Sequence, residues 1–240
     1  MGRHLVLSLA GDGHDVVVLS RRPRRARNIL PPGTRVEAWD PAEAAAGLPL
    51  LLANAAAVVN LTGADVPCRR PIDHHRHVRD SPLACSRALV EAMGALPPSE
   101  RPAAFLDACH CAEREAPARR ADGLHVRVVL LRLGLVVGHG GPVPRRLAPL
   151  VRAGAGGRIG SPDQSLPWIA LEDAVGMVRR AITGWDISGP FNLAAPRASG
   201  DRRMSPAKAL AASYEFLQPD LEQALERALR VSAGPSAKVA

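Results

Sequence analysis

The stretch LDACHCAERE brings together side chains that could bind a metal ion or transfer protons. Cys109, His110 and Cys111 are soft ligands, but adjacent residues on a strand point to opposite faces, and structural zinc sites usually have paired Cys-x-x-Cys or His spacings. We therefore expect no metal site here. Asp107 and His110 are candidates for acid–base catalysis near the expected end of a strand, and the histidine titrates nearest to neutral pH.

Two adjacent arginines, Arg21 and Arg22, follow the strand-like segment DVVVLS. Guanidinium groups bind phosphate in a two-pronged geometry, so this pair could hold the phosphate of a cofactor. The alternative is that RRPRR forms a solvated basic turn. We expect no nucleic-acid partner, although the formal net charge is +8, because aromatic residues make up only 3% of the chain and could not supply a surface on which bases stack.

A third group of polar residues ends the apolar run AAAVVNLTG. Asn60, Thr62 and Gly63 lie where this predicted strand enters a loop, and ligands of open α/β sheets bind at the carboxyl ends of the strands. These residues are therefore candidates for cofactor binding. Asn60 could instead satisfy backbone groups of the loop.

Alternating helical and strand patterns position these candidates. Apolar, β-branched runs predict strands at DVVVLS, AAVVNLT, AAFLDA and RVVLLRLG, with a helix over residues 3–12 and another over SPLACSRALVEAMGAL. Continuous apolar strands separated by helices indicate a parallel sheet that is covered on both faces. The predicted fold class is therefore α/β, a doubly wound, Rossmann-like sheet.

Four cysteines, no signal-peptide pattern and no long apolar span predict a soluble, cytoplasmic protein without a disulfide framework or a membrane segment. A chain of 240 residues with 47% hydrophobic content can bury a substantial core.

Several segments, in order, resemble one known family. They are GRHLVLSLAGDGHDVVVLSRRP, VVNLTGADV, VRDSPLACSRALVEAM, RVVLLRLGLVVGHGG, GAGGRIGSPDQSLPWIALEDAV, GPFNLAAP and, near the C-terminus, SYEFLQPDLEQALERAL. The chain is similar to the atypical extended short-chain dehydrogenase/reductases, in the sugar-epimerase-like branch with a C-terminal domain of unknown function. PWIALEDAV is the most specific of these blocks.

This resemblance implies a cofactor and a small-molecule substrate. It makes Gly2 the last glycine of a phosphate-binding turn and assigns Gln164 and Trp168 to the substrate side. Arg21 and Arg22 then lie where an arginine contacts the 2′-phosphate of NADP, so NADP is expected rather than NAD. The function implied is that of a nucleoside-diphosphate-sugar epimerase or an oxidoreductase.

The chain also departs from the family pattern. The usual first strand and most of the phosphate loop are lacking, so we expect weakened cofactor binding, and the predicted domains are residues 1–196 and a shortened C-terminal segment, 197–240. Tyr214 is the only tyrosine and has no lysine four positions later, so the usual Tyr-x-x-x-Lys pair cannot form. A non-catalytic binding or scaffold module is therefore the alternative function.

Overall fold

The computed structural model describes residues 1–42, 47–62, 72–109, 115–141, 143–145, 148–149, 153–154, 167–196 and 204–230. Gly63, His110 and Gln164, which the sequence singled out, lie outside these ranges.

Strands form at the four segments where the sequence predicts them, because most of these apolar runs are rich in β-branched residues that favour an extended, buried backbone. The eight strands of the described residues are β1 (Val17–Ser20), β2 (Arg35–Ala38), β3 (Val58–Asn60), β4 (Ala104–Cys109), β5 (Arg127–Leu133), β6 (Leu135–Val137), β7 (Trp168–Ala170) and β8 (Gly189–Leu193).

Strands pair in parallel wherever the register is defined. β1 pairs with β2, β3 with β4, β4 with β5, and β6 with β7. They belong to a two-stranded sheet β1-β2, a four-stranded sheet β3-β4-β5-β8 and a two-stranded sheet β6-β7. The α/β class with parallel strands is thus confirmed. The single sheet expected from the sequence is instead divided, since no described strand bonds to both β1 and β3.

Helices separate most of the strands. They are α1 (Gly2–Gly11), α2 (Pro23–Arg27), α3 (Leu48–Leu52), α4 (Ile72–Gly94), α5 (Glu115–Arg119), α6 (Leu171–Thr183), α7 (Ala207–Ala211) and α8 (Leu221–Arg230), with 3₁₀ turns at Pro98–Glu100 and Arg120–Leu124. α4 begins at Ile72, earlier than the Ser-Pro pair that suggested a helix start at residue 81.

The chain divides into two compact units. The first contains Met1–Arg132 and Val178–Phe191, and the second contains Leu133–Met177 and Asn192–Ala240. Residues 133–177 belong to the second unit although they come before residue 196, and the predicted domain boundary at residue 196 stays a prediction. A single cut in the sequence cannot separate units between which the chain passes three times.

Each unit has its own core. In the first, Phe105 of β4, Leu130 of β5 and Met93 of α4 are fully buried in one apolar cluster. In the second, Trp168 packs with Val137 and with alanines that include Ala224 of α8. No helix in the described part of the chain has the length and apolar character needed to cross a bilayer.

Candidate functional site

The carboxyl ends of β3 and β4 carry the best-defined polar cluster of the first unit. Asn60 and Asp107 are partners in the parallel register, and both side chains are buried. The Asn60 Nδ2 donates to Asp107 Oδ1 over 2.6 Å. Ser86, on α4, places its hydroxyl 2.9 Å from Asp107 Oδ2 and 3.2 Å from Asn60 Nδ2. Two strands and a helix therefore meet around one carboxyl group.

Burial changes the chemistry of Asp107. Desolvation raises the pKa of its carboxyl from 3.8 to about 6, although the hydrogen bonds from Ser86 and Asn60 act in the opposite direction. This carboxyl can therefore change its protonation state just below neutral pH. Only 1% of Asp107 is exposed, so in this conformation its carboxyl cannot touch a substrate as a catalytic acid or base would.

The backbone beyond β3 is held by Asn60. Its Oδ1 accepts the backbone N–H of Thr62 over 3.1 Å, and the Thr62 hydroxyl lies 3.2 Å from the Cys85 sulfur. Burial raises the pKa of the Cys85 thiol, which makes it a poor nucleophile. Residues 60–62 consequently form a turn, called here the Asn60–Thr62 turn. Asn60 bonds to Asp107 of β4 at one end of the turn, and Thr62 bonds to Cys85 of α4 at the other end.

One predicted cofactor-binding position, Gly2, lies close to this turn. A Cβ atom added to Gly2 would lie 3.8 Å from Leu61 Cδ1, so the first turn of α1 packs beside the Asn60–Thr62 turn. Met1, the N-cap residue of this ten-residue helix, makes no side-chain cap hydrogen bond. The positive end of a helix dipole favours anions such as phosphate.

The arginines follow β1 as predicted. Arg21 and Arg22 are both exposed, and the backbone N–H of Arg22 donates to the Ser20 hydroxyl over 3.1 Å. The charge of Arg21 lowers the pKa of the Cys85 thiol, against the larger effect of burial, so Arg21 lies within electrostatic reach of α4. The structure thus brings Gly2, Asn60 and Thr62 together, and Arg21 lies at the end of β1 in the same unit.

A second charged cluster lies at the carboxyl end of β5. Arg132 Nε donates to Glu115 Oε1 over 2.6 Å, and Glu115 also accepts from Arg119 over 2.9 Å. Burial alone would raise the pKa of the Glu115 carboxyl, but the two guanidinium groups outweigh it and lower the pKa. An arginine in an apolar strand needs a partner for its charge, and Glu115 is such a partner for Arg132.

The predicted substrate residue Trp168 lies in the second unit. Only 3% of the residue is exposed, and it packs within the core cluster of that unit. This burial agrees with a packing role for the indole. A contact with substrate stays a prediction for Trp168 and for Gln164. Among the described residues, no three His, Cys, Asp or Glu side chains form a group that could hold a metal ion.

The single tyrosine also lies in the second unit. The Tyr214 hydroxyl donates to the Asp173 carbonyl over 3.2 Å, and Asp173 accepts the backbone N–H groups of Leu217 and Gln218. Asp173 therefore anchors the segment before α8 to the first turn of α6.

Ser86 is a site residue that sequence reasoning missed. It lies three, four and seven positions before Leu89, Val90 and Met93, all of which are buried on α4. A hydroxyl on the buried stripe of a helix needs a hydrogen-bond partner, and this periodicity was the available signal.

No protein-family model matches the chain. The epimerase family protein SDR39U1 homolog from Arabidopsis thaliana chloroplasts is 27% identical over 229 residues, which is 82% of this chain and 63% of that protein. The chain is thus similar in sequence to proteins that are named epimerase family proteins. The chain spans less than two thirds of the length of the Arabidopsis protein. The family resemblance that its motifs predicted is confirmed by this similarity.

Two solved structures have a similar fold. The crystal structure of human epimerase family protein SDR39U1, isoform 2, with NADPH has a TM-score of 0.74 and 23% identity, with 95% of each chain covered. The nucleoside-diphosphate sugar epimerase from Corynebacterium glutamicum has a TM-score of 0.67 and 20% identity over 94% of this chain and 61% of that one. At these identities the likeness shows a shared fold.

Proposed function

We propose that this epimerase-family protein binds NADP in the first unit and acts on a small carbonyl or sugar-nucleotide substrate. The observation that carries the proposal is that Gly2 lies beside Leu61, whose Cδ1 would be 3.8 Å from a Cβ atom added to Gly2. This proximity brings the start of a helix against the Asn60–Thr62 turn at the end of a parallel strand, and this is where α/β sheets bind nucleotides.

The arginine pair supports NADP rather than NAD. Arg21 and Arg22 are exposed beyond β1, and the Ser20 hydroxyl holds the backbone of the second arginine. A guanidinium binds the 2′-phosphate that only NADP carries, whereas a carboxylate at this point would bind the 2′-hydroxyl of NAD. The human relative crystallised with NADPH is consistent with this choice.

The names of the similar proteins support the substrate class. The Corynebacterium glutamicum protein, which has a similar fold, is a nucleoside-diphosphate sugar epimerase. The Arabidopsis protein, which is similar in sequence, is an epimerase family protein. NADP would supply hydride transfer, and this chain would bind and orient the cofactor. Asp107 and His110 remain candidates for proton transfer, with Asp107 needing a conformational opening to reach a substrate.

A non-catalytic binding module is the second candidate function. The observation in its favour is that Tyr214, the only tyrosine of these 240 residues, hydrogen-bonds to Asp173 in the second unit. No lysine stands four positions after Tyr214 in the sequence, so the Tyr-x-x-x-Lys pair that would make it a proton donor is absent. This candidate retains cofactor binding without turnover.

Calorimetric titration of the 240-residue chain with NADPH and with NADH tests the proposal. We expect NADPH to bind at least about tenfold more tightly, since one charge-assisted hydrogen bond contributes roughly 1.5 to 3 kcal/mol. Binding of neither cofactor at millimolar concentration would refute it. Turnover assays with nucleotide sugars and carbonyl compounds then separate the two functions: turnover that is abolished in His110→Ala or Asp107→Ala excludes the non-catalytic module.

A further inference from the structure

The orientation of the Asn60 amide depends on the residue that faces it. An amide has a donor end and an acceptor end, and rotating it by half a turn exchanges them. An ionised carboxylate only accepts hydrogen bonds, so Asp107 requires the Nδ2 end at 2.6 Å. The Oδ1 end must then face the other way, where it accepts the Thr62 N–H at 3.1 Å.

Ser86 completes this arrangement from a third element. Its hydroxyl lies within hydrogen-bond distance of both Asp107 oxygens, at 3.0 and 2.9 Å, and of Asn60 Nδ2. The carboxyl is thereby held between a strand neighbour and a helix, and cannot rotate without breaking a hydrogen bond.

We propose that Asp107 and Ser86 are positioning residues for the cofactor: they orient the Asn60 amide, and the amide holds the Asn60–Thr62 turn in the conformation that receives the dinucleotide. The inference rests on the proposed function. It assigns to Asp107 a role that requires no contact with the substrate, which fits its burial.

A purely structural role explains this cluster less well. No described arginine or lysine lies within ion-pair distance of Asp107, and its hydrogen bonds to Asn60 and Ser86 are to neutral groups. A buried carboxylate without a cation is costly, and a neutral or apolar residue would pack at lower cost. The arrangement does, however, define which end of the Asn60 amide faces the turn.

The charged and titratable groups around this cluster lie on several elements. Cys85 faces it from α4, and Asp40, Asp107 and Arg21 all act on the Cys85 thiol. Burial, with the Ser86 and Asn60 hydrogen bonds opposing it, raises the pKa of Asp107 to about 6. Below this pH the carboxyl loses its charge and one of its oxygens becomes a donor, so its hydrogen bond from Asn60 Nδ2 weakens and the amide is held less firmly, by the Thr62 N–H alone. Cofactor affinity should therefore fall as the pH is lowered through this range.

The test measures NADPH affinity and thermal unfolding of the 240-residue chain in parallel. Asp107→Ala removes the acceptor and is expected to raise the NADPH dissociation constant by about tenfold. Asp107→Asn imitates the protonated carboxyl, because it is neutral and both donates and accepts, so its dissociation constant should rise by about threefold or more at pH 7.5. Val128→Ala, a buried change elsewhere in the same unit, controls for lost stability and should leave affinity unchanged.

The pH profile supplies a readout that lost stability would not move. The ratio of wild-type to Asp107→Asn dissociation constants is taken at each pH from 5 to 8, because titration of the nucleotide phosphate then cancels. We expect this ratio to rise toward one below about pH 6, because the wild type then carries the neutral carboxyl that Asp107→Asn imitates. If Asp107→Ala does not fold, Ser86→Ala is measured instead, with an expected loss of threefold or more.

Two results would overturn the inference. Wild-type affinity in Asp107→Ala, or in Ser86→Ala where the first variant does not fold, would remove the positioning role, and so would a flat ratio across the pH range. A wild-type chain that binds no NADPH would refute the proposed function itself and the inference with it, which distinguishes the two failures.

Discussion

Arg132 donates its Nε to Glu115 Oε1 over 2.6 Å, and this contact joins β5 to α5 through a carboxylate that is almost fully buried. The arginine side chain keeps about a third of its surface exposed. The buried Glu115 carboxylate therefore depends on its partner more than the partly exposed Arg132 does.

Glu115→Gln should lower the free energy of unfolding by about 1 to 2 kcal/mol, because the amide loses charge-assisted hydrogen bonds to both arginines. Arg119→Ala should cost less than about 1 kcal/mol, since the Arg119 side chain is about half exposed and solvent screens its charge. Urea denaturation at pH 7 measures both values. Equal losses would mean that the exposed arginine contributes as much as the buried acid.

Arg21→Ala combined with Arg22→Ala should weaken NADPH binding by about 10- to 100-fold and NADH binding by much less, because only NADPH carries the 2′-phosphate. Calorimetric titration with both cofactors measures the difference. Arg24→Ala combined with Arg25→Ala removes the same charge from exposed positions on α2 and is the control. A similar loss for both cofactors, or in both double variants, would indicate bulk charge rather than a specific contact.

Asp107→Asn should change how stability depends on pH. The pKa of Asp107 is raised in the folded protein, so the unfolded chain ionises first as the pH rises from about 4 to about 6, and the wild type loses stability over this range. The loss should be roughly 2 to 4 kcal/mol relative to Asp107→Asn, which does not titrate. Chemical denaturation of both proteins at pH 4, 5, 6 and 7 measures it. Parallel stability curves would contradict the raised pKa.

Gly176→Ala should destabilise the protein, although alanine is the better helix former by about 1 kcal/mol. A Cβ atom at this position in α6 would overlap the Tyr214 hydroxyl, which Asp173 holds in place. Thermal unfolding of Gly176→Ala, Tyr214→Phe and the double variant forms a mutant cycle. The alanine should cost less in the Tyr214→Phe background, where the hydroxyl is absent, and an equal cost in both backgrounds would exclude the overlap.

The sequence by itself determined the strands and the class of fold. Runs such as RVVLLRLG form strands because β-branched, apolar residues favour an extended and buried backbone, and this preference acts locally. The positions of Arg21 and of Asn60 at strand ends could be predicted for the same reason. The family resemblance also followed from linear motifs, which need no knowledge of contacts.

Only the tertiary structure decided which of these residues act together. Ser86 and Asp107 are 21 positions apart, and their hydrogen bond depends on the packing of α4 on β4. The partner of Tyr214 is Asp173, 41 positions away, and the first unit is completed by residues 178–191. Local propensity carries no information about such pairings, because they arise from the register of strands and from the side chains that close packing brings together.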